Sequence, residues 1–470
     1  MAGGVGTLAA MDPTVGDGGG AYGGSRLTTE LEPPPFAYDG RGEVFAPEAP
    51  SEPAAEDFRI LDAIEEEGRW MTGLLSELVR APTTLGNEAA GQEVIREALR
   101  EIGLAPVDIP MDAAALRAHP LAAPFDWDVD GKRNVVATWE PTNGGGGRSL
   151  ILNGHIDVVS PEPLSQWGAR DPFGGDVEDG WCYGRGAADM KCGTAAILGA
   201  VKALRRMGLS PGAPIHVESV VEEECSGNGT LQTLLAGYSA DAAVVAEPFG
   251  AAITTSQVGV LWFKVRITGV PGHAAEGRHA VNAIEQSLLV INALRVLEAE
   301  LNVAPPAPFD LFSHPINMNV GAISGGDWAS TVPGWCTTHY RIALYPGMSL
   351  QDLRERIELI VAAATEEHPG EAEVLYGGFA SRGYDIADDS ALVTTLASAF
   401  TRQAGTPPAL VATTGTTDAG VFGHMGVPAV CFGPYAEQAH GIGERVYLPS
   451  VIQTAQVMGL FIRDWCGLSE

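Results

Sequence analysis

Metal-capable side chains follow the apolar segments of this sequence. They are His155 and Asp157 after 149–153, Glu222, Glu223 and Glu224 after 215–221, Glu247 after 241–246, and His440, one loop beyond 427–432. Asp189 stands just before a further helical segment at 191–207. If the apolar segments are parallel strands, their carboxyl ends meet at one edge of a sheet, where ligands collect in open α/β folds.

Such a cluster has a definite chemistry. Several carboxylates could not stay ionised side by side without cations, and divalent metal resolves the conflict. Mixed imidazole and carboxylate ligands suit zinc, with manganese or cobalt as further options. A carboxylate that bridges two metals about 3.5–4 Å apart is typical of hydrolytic sites. Singly, an H-x-D turn, an acidic run or one histidine is more often a surface feature, so the prediction rests on the joint pattern.

The elements around these residues alternate between strand and helix. Strand patterns at 134–139 and 149–152 are separated by a glycine-rich turn at 144–147, and a helical segment at 191–207 precedes the strand pattern at 215–221. This order predicts an α/β domain whose largely parallel sheet is flanked by helices. The section after residue 257 breaks the rhythm, with elements in the order strand, helix, strand, strand, helix, strand, which predicts an inserted ferredoxin-like α+β domain.

The composition of the chain indicates a tail that is separate from the folded domains. Residues 1–54 are rich in Gly, Pro and Ala without periodic apolar residues, which predicts a mobile tail. We divide the remaining chain into a catalytic domain at 55–256 and 379–470 and an inserted domain at 257–378.

The net charge and the cysteine positions limit the classes of partner and the cellular location that we expect. The formal net charge of −31 disfavours nucleic acid and anionic membranes as partners, because both are polyanions. The six cysteines form no C-x-x-C pair, and no run of about 18 apolar residues or signal peptide is present. We therefore expect a cytoplasmic protein.

The chain resembles the zinc amidohydrolase family of acetylornithine deacetylase, succinyl-diaminopimelate desuccinylase, aminoacylase and glutamate carboxypeptidase. The resemblance covers nearly all of the chain after the tail. Its motifs are Gly154-His155-Ile156-Asp157-Val158-Val159, Trp167 with Asp171-Pro172-Phe173, Gly184-Arg185-Gly186-Ala187-Ala188-Asp189-Met190-Lys191, Glu223-Glu224, Glu247-Pro248, Pro271-Gly272-His273-Ala274, Asn282-Ala283-Ile284, Thr416-Thr417-Asp418-Ala419 and His440-Gly441.

The resemblance implies a role for each metal-capable residue. One metal would be bound by His155, Asp189 and Glu247, and the other by Asp189, Glu224 and His440, with Asp189 bridging the two. Asp157 would lie behind His155 and fix its tautomer. Glu223 would be the general base; spacing alone does not decide between it and Glu222.

The resemblance also implies substrate contacts and a homodimer formed through the inserted domain, which would act as a lid. His273 would reach the partner subunit's site and stabilise the oxyanion. Arg341 would bind a substrate carboxylate, and Gly415 and Thr416 lie in a loop that would contact substrate. The implied activity is hydrolysis of N-acyl amino acids or related small N-acylated molecules with two divalent ions, zinc foremost.

Two departures and three alternatives qualify this interpretation. Ser330 stands where many relatives have asparagine, and Glu247 stands where the carbamoylase branch has histidine. The same site would serve a metallo-dipeptidase or carboxypeptidase, or a deformylase of an N-formylated pyrimidine. A catalytically silent metal-binding scaffold is disfavoured by the presence of Glu223.

Overall fold

The computed structural model describes residues 54–142, 146–250, 252–367 and 370–469, together with the backbone of Glu43–Val44. The predicted mobile tail at 1–54 therefore lies almost wholly outside the described residues. The helices within these ranges are α1 Ala55–Glu65, α2 Gly68–Arg80, α3 Ala89–Glu101, α4 Ala113–Ala118, α5 Lys191–Arg206, α6 Asn228–Leu235, α7 Ala283–Leu301, α8 Leu350–Thr365, α9 Ala391–Ala404, α10 Ala419–His424 and α11 Leu448–Cys466.

The strands fall into one large and three smaller sheets. They are β1 Glu43–Val44, β2 Val107–Pro110, β3 Arg133–Trp139, β4 Leu150–His155, β5 Asp176–Glu178, β6 Trp181–Tyr183, β7 Ile215–Val220, β8 Ala243–Val245, β9 Ala252–Gln257, β10 Gly259–Thr268, β11 Gly272–His273, β12 Met318–Gly325, β13 Thr331–Val332, β14 Trp335–Leu344, β15 Glu371–Ser381, β16 Tyr384–Asp385, β17 Ala409–Thr413, β18 Ala429–Cys431, β19 Ala436–Glu437 and β20 Arg445–Tyr447.

The large sheet has the order β1-β17-β9-β18-β8-β4-β7-β3-β2, with β16 added beside β9. Its centre is parallel: β4 pairs in parallel with β7 and β8, and β8 with β18. Every residue of β4 and β8 is buried, because helices such as α5 and α10 pack on these strands. Burial on both faces explains why these segments read as continuous apolar runs.

The inserted sheet has its own hydrophobic core. Strands β12-β14-β10-β15 are antiparallel throughout, and α7 and α8 pack on them. The chain order β10-α7-β12-β14-α8-β15 is the predicted ferredoxin-like order, so both parts of the predicted fold class are confirmed. Strand β15 runs to Ser381, and the domain division at 257–378 stays a proposal.

A small antiparallel sheet, β19-β20-β6-β5, was not predicted. It joins the segment before Asp189 to the segments on either side of His440, since β6 pairs with β20 and β20 with β19. Its strands have only two or three residues each, too few for a periodic pattern to show in the sequence.

Across the described ranges, no helix combines the length and the apolar character that a membrane span requires. The cytoplasmic location stays a prediction.

Candidate metal centre

Three parallel strands deliver metal-capable residues to one edge of the large sheet. His155 is the last residue of β4, Glu223 and Glu224 come shortly after β7, and Glu247 follows β8. Strand β4 lies between β7 and β8, so the three carboxyl ends are neighbours. The expected convergence at the sheet edge is thus a direct result of the strand order.

The side chains meet at short distances. His155 Nε2 lies 3.0 Å from Asp189 Oδ1 and 3.7 Å from Glu247 Oε1. His440 Nε2 lies 3.2 Å from Asp189 Oδ2 and 2.9 Å from Glu224 Oε2. The structure therefore brings together all five residues that the sequence predicts as ligands.

Asp189 stands between the two histidines. Its Oδ1 faces His155 and its Oδ2 faces His440, which is the arrangement of a carboxylate that bridges two ions. Ligand atoms of one tetrahedral zinc, each about 2.0–2.1 Å from the ion, lie about 3.3 Å from one another. The observed nitrogen-to-oxygen separations are close to that value, so the residues fit two metal ions.

The possible ligand groups overlap. Ligand atoms of His155, Glu223 and Glu247 lie within 4.8 Å of one another, and so do those of His155, Asp189 and Glu224. Glu223 is therefore within reach of an ion as well, and proximity alone does not separate the base from the ligands.

The charge of the site also calls for cations. Among the ion pairs found in the described ranges, the carboxylates of Asp189, Glu223, Glu224 and Glu247 are joined to histidines and to no Lys or Arg. Burial, with help from neighbouring carboxylates, raises the pKa of Glu223 and Glu247 well above the usual value. Ionised carboxylates at these positions need positive partners, and within the described ranges no Lys or Arg is paired with them.

The pKa values of the two histidines are also raised, and for a histidine this favours the charged form. Burial alone would lower the pKa of His155, but the hydrogen bond with Asp189 and the surrounding carboxylates raise it well above 6.5. Burial likewise opposes the charged form of His440, yet Glu224 and Asp189 raise its pKa to about 11. The surrounding field thus favours a positive charge at both imidazole positions, as it would favour bound cations.

The structure separates Glu222 from Glu223. Glu222 is fully buried, and its Oε1 accepts from Lys132 Nζ at 2.9 Å and Trp127 Nε1 at 2.8 Å. Glu222 also has a positive φ of 64°, a left-handed conformation that is costly for a non-glycine residue and that turns the chain between the two carboxylates. Glu223 Oε2 lies 3.8 Å from His155 Nε2, so only Glu223 faces the cluster.

Asp157 contacts the site differently from the expectation. The carboxylate lies 3.8 Å from His155 Nδ1, whereas the backbone oxygen of Asp157 lies 2.9 Å from that nitrogen. The two carboxylate oxygens accept the backbone N–H groups of Glu223 at 3.2 Å and Glu224 at 3.0 Å. The backbone carbonyl therefore orients the imidazole, and the side chain fixes the turn that presents Glu223 and Glu224.

The predicted substrate residues lie on the inserted sheet and on one loop. Arg341, in β14, donates through Nη2 to the backbone oxygen of Thr414 at 3.2 Å, next to Gly415 and Thr416. Thr416 Oγ1 lies 3.0 Å from Ser381 Oγ. The bond from Arg341 to Thr414 places the guanidinium beside the predicted substrate loop.

His273 lies apart from the five ligands. It is exposed in β11, which pairs with β13, and its Nδ1 accepts from Ala275 N–H at 3.1 Å. Within the described part of this chain, no hydrogen bond or ion pair joins it to the candidate metal ligands. For His273 to take part in catalysis, it would have to reach the metal ligands of a second subunit, or the inserted domain would have to move.

Sequence reasoning missed two residues behind the site, Arg185 and Glu444. Both are buried and paired with each other. Arg185 lies inside a motif quoted above, but the sequence offers no signal for Glu444 as its partner, because 259 positions separate the two residues.

The comparisons agree with this geometry. Residues 151–464 match the family described as Peptidase family M20/M25/M40. N-formyl-4-amino-5-aminomethyl-2-methylpyrimidine deformylase of Halalkalibacterium halodurans is 29% identical over 87% of this chain and 98% of its own length. Acetylornithine deacetylase of Proteus mirabilis is 30% identical over 72% of this chain and 84% of its own length.

The fold has solved relatives as well. A di-peptidase from Saccharomyces cerevisiae superposes with a TM-score of 0.72 at 13% identity, over 87% of this chain and 98% of that one. The family match spans more than half of the sequence and includes all five candidate ligands. This chain therefore belongs to peptidase family M20/M25/M40 and is a metallohydrolase that acts on amide bonds.

Proposed function

We propose that this protein is a dinuclear-metal hydrolase that cleaves the amide bond of N-acyl amino acids or related small N-acylated molecules. The observation that supports this most directly is the position of Asp189, whose two oxygens face two different histidines. One set of ligands would be His155, Asp189 and Glu247, and the other Asp189, Glu224 and His440.

The donor set favours zinc, with cobalt or manganese as further candidates, because it mixes imidazole with carboxylate. Two such ions, held by these residues, would polarise the scissile carbonyl and activate the attacking water. The protein supplies the remaining chemistry.

Glu223 is the proposed general base. Its carboxylate faces the cluster, so it can accept a proton from the attacking water and pass it to the leaving nitrogen. The Asp157 carboxylate accepts the backbone N–H groups of Glu223 and Glu224. These bonds fix the position of the base relative to the metal ligand. His273 of a second subunit would donate a hydrogen bond to the oxyanion.

The substrate class follows from the relatives and from Arg341. Both similar proteins remove a small acyl group from nitrogen, a formyl group in one and an acetyl group in the other. Arg341 lies beside the loop of Gly415 and Thr416 and offers a guanidinium to a substrate carboxylate. The deformylase match covers almost all of that relative, so deformylation of an N-formylated aminopyrimidine is the second candidate.

A substrate panel tests the proposal. The enzyme would be assayed on N-acetyl and N-formyl amino acids, an N-formyl aminomethylpyrimidine and dipeptides, each before and after chelation and after return of Zn²⁺. We expect hydrolysis of the N-acyl compounds, loss of activity with chelator and recovery with zinc. Hydrolysis of dipeptides alone, or activity that withstands exhaustive chelation, would contradict the proposal.

The exposed surface of the inserted domain supports a homodimer. Strand β12 is at the edge of its sheet, and Ile323 in that strand is 52% exposed. Helix α7 presents Leu288 and Val296 to solvent at 51% and 59% exposure. An open strand edge beside exposed apolar residues is a surface that a second copy would cover.

A further inference from the structure

A buried ion pair lies directly behind the candidate metal ligands. Arg185 is 1% exposed and Glu444 is fully buried, and Arg185 Nη1 donates to Glu444 Oε2. Their contacts run to the backbone of the two loops that present Asp189 and His440.

Glu444 fixes the loop of Asp189. Its Oε1 accepts the backbone N–H groups of Gly186 at 2.9 Å, Ala188 at 3.0 Å and Asp189 at 3.1 Å. Because a single carboxylate oxygen gathers three amides, the backbone path into Asp189 is closely defined. A charged acceptor makes these bonds stronger than bonds between neutral groups.

Arg185 fixes the loop of His440. Its Nη2 donates to the backbone oxygen of His440 at 3.1 Å. His440 has a φ of 61°, a left-handed conformation that persists only where the surroundings hold it. The planar guanidinium binds Glu444 with Nη1 and the His440 carbonyl with Nη2, two nitrogens in a fixed geometry, whereas a lysine would offer a single nitrogen at the end of a flexible chain.

The pair thus acts on two ligands that must sit close together. Asp189 Oδ2 and His440 Nε2 are 3.2 Å apart, and each is attached to a loop held by this pair. His155, by contrast, is the last residue of the central strand β4, and Glu247 follows β8. The pair thus holds the loops of two of the three ligands proposed for one ion, but only the loop of Asp189 among those of the other, so the first site depends on the pair more.

We infer that Arg185 and Glu444 are positioning residues for the second metal, the one that Asp189, Glu224 and His440 would share. This inference rests on the proposed function. The pair sets the separation of the Asp189 and His440 loops, and so it sets the affinity of that site without touching the ion.

The test measures zinc binding in the full chain. Arg185→Lys and Glu444→Gln would be titrated with Zn²⁺ against a chromophoric chelator, with Asp57→Asn as the matched control. Asp57 is also a buried acid, 1% exposed, paired at 2.5 Å with Arg463 between α1 and α11, and it has no link to the ligand loops. Thermal unfolding and circular dichroism would establish that each variant is folded.

We expect the wild type and Asp57→Asn to bind two zinc ions. Arg185→Lys and Glu444→Gln should bind the second ion about tenfold to a hundredfold more weakly. The loss for the first ion should be smaller, because Asp189 is the one ligand of that ion whose loop the pair holds. Excess zinc should then restore hydrolysis in both variants. If Glu444→Gln does not fold, Arg185→Lys decides, because it keeps a positive charge beside Glu444.

Three results would overturn the inference: unchanged binding of both ions in the folded variants, equal weakening of both ions, or the same loss of the second ion in Asp57→Asn. A wild-type protein that binds no zinc would instead refute the proposed function. The two failures are therefore distinguishable in one experiment.

Discussion

Glu222 and Glu223 are neighbours in the chain, but their carboxylates have opposite surroundings. Glu222 is bound to Lys132 and Trp127 in the protein interior, whereas Glu223 faces His155 across 3.8 Å. One glutamate is thus committed to structure and the other is available for chemistry, although their side chains are identical.

Replacing Glu223 by Gln should remove the base and keep the metals. We expect turnover to fall about a hundredfold to ten-thousandfold, the usual contribution of general base catalysis. Steady-state kinetics and elemental analysis of the purified variant would measure both quantities. Glu222→Gln is the matched control: it should unfold at a lower temperature because it breaks a buried ion pair, but its folded fraction should keep its metals. Near wild-type turnover in Glu223→Gln would exclude the assignment.

Metal removal should destabilise the protein. The clustered carboxylates lose their neutralising partners when the ions leave, and a ligand present at a hundred times its Kd stabilises the folded state by about 2.7 kcal/mol. Thermal unfolding with chelator, and again after zinc is returned, would show a reversible decrease in Tm. The Glu247→Ala variant should lose part of this chelator response. A Tm that is identical in all conditions would argue against bound ions.

Glu218 should make stability depend on pH. Burial raises the pKa of this carboxyl to about 8, from 4.5, so the folded state keeps its proton at pH values where the unfolded chain has released it. The contribution of Glu218 is therefore complete below pH 4.5 and is lost as the pH rises towards 8, at about 1.4 kcal/mol per pH unit.

Urea unfolding of Glu218→Gln and wild type at pH 5.5 and pH 8 would check this. The glutamine resembles the protonated acid, so the variant should gain stability relative to wild type as the pH rises. Glu371→Gln, at an exposed position, should follow the wild type at both pH values. A constant difference between Glu218→Gln and wild type would refute the raised pKa.

The dimer and the role of His273 can be tested together. Leu288→Asp, on the exposed face of α7, should yield monomers in sedimentation analysis, whereas Leu359→Asp, on α8 and 71% exposed, should not. If His273 acts in the partner subunit's site, mixing inactive His273→Ala and Glu223→Gln chains should restore about a quarter of the activity, because half of the dimers would hold one intact site. No recovery in proven mixed dimers would show that His273 does not act in the partner subunit's site.

The sequence was sufficient for the fold class and for the convergence of the ligands, because both follow from local patterns. An apolar run that ends in His155 or Glu247 already places these residues at a strand end. The carboxylate of Asp157 was expected behind His155, but it binds the Glu223 and Glu224 amides. A turn conformation such as that of Glu222 decides this contact, and composition does not encode it.

The pairing of Arg185 with Glu444 was out of reach for a similar reason. Its bonds join a side chain to backbone groups more than 250 positions away, and such contacts leave no periodicity in the sequence. The short strands β6 and β20 that bring them together were equally invisible.

The pairing of β6 with β20 has a consequence for how the protein matures. Four of the five candidate ligands lie before residue 248 and the fifth is His440, so a chain emerging from the ribosome has no complete centre until the segment near residue 440 has been made. Closing so long a loop is an entropic cost that late contacts must offset. The ions are then expected to enter at the end of folding, and a prematurely terminated chain would be left with an open cluster of acids.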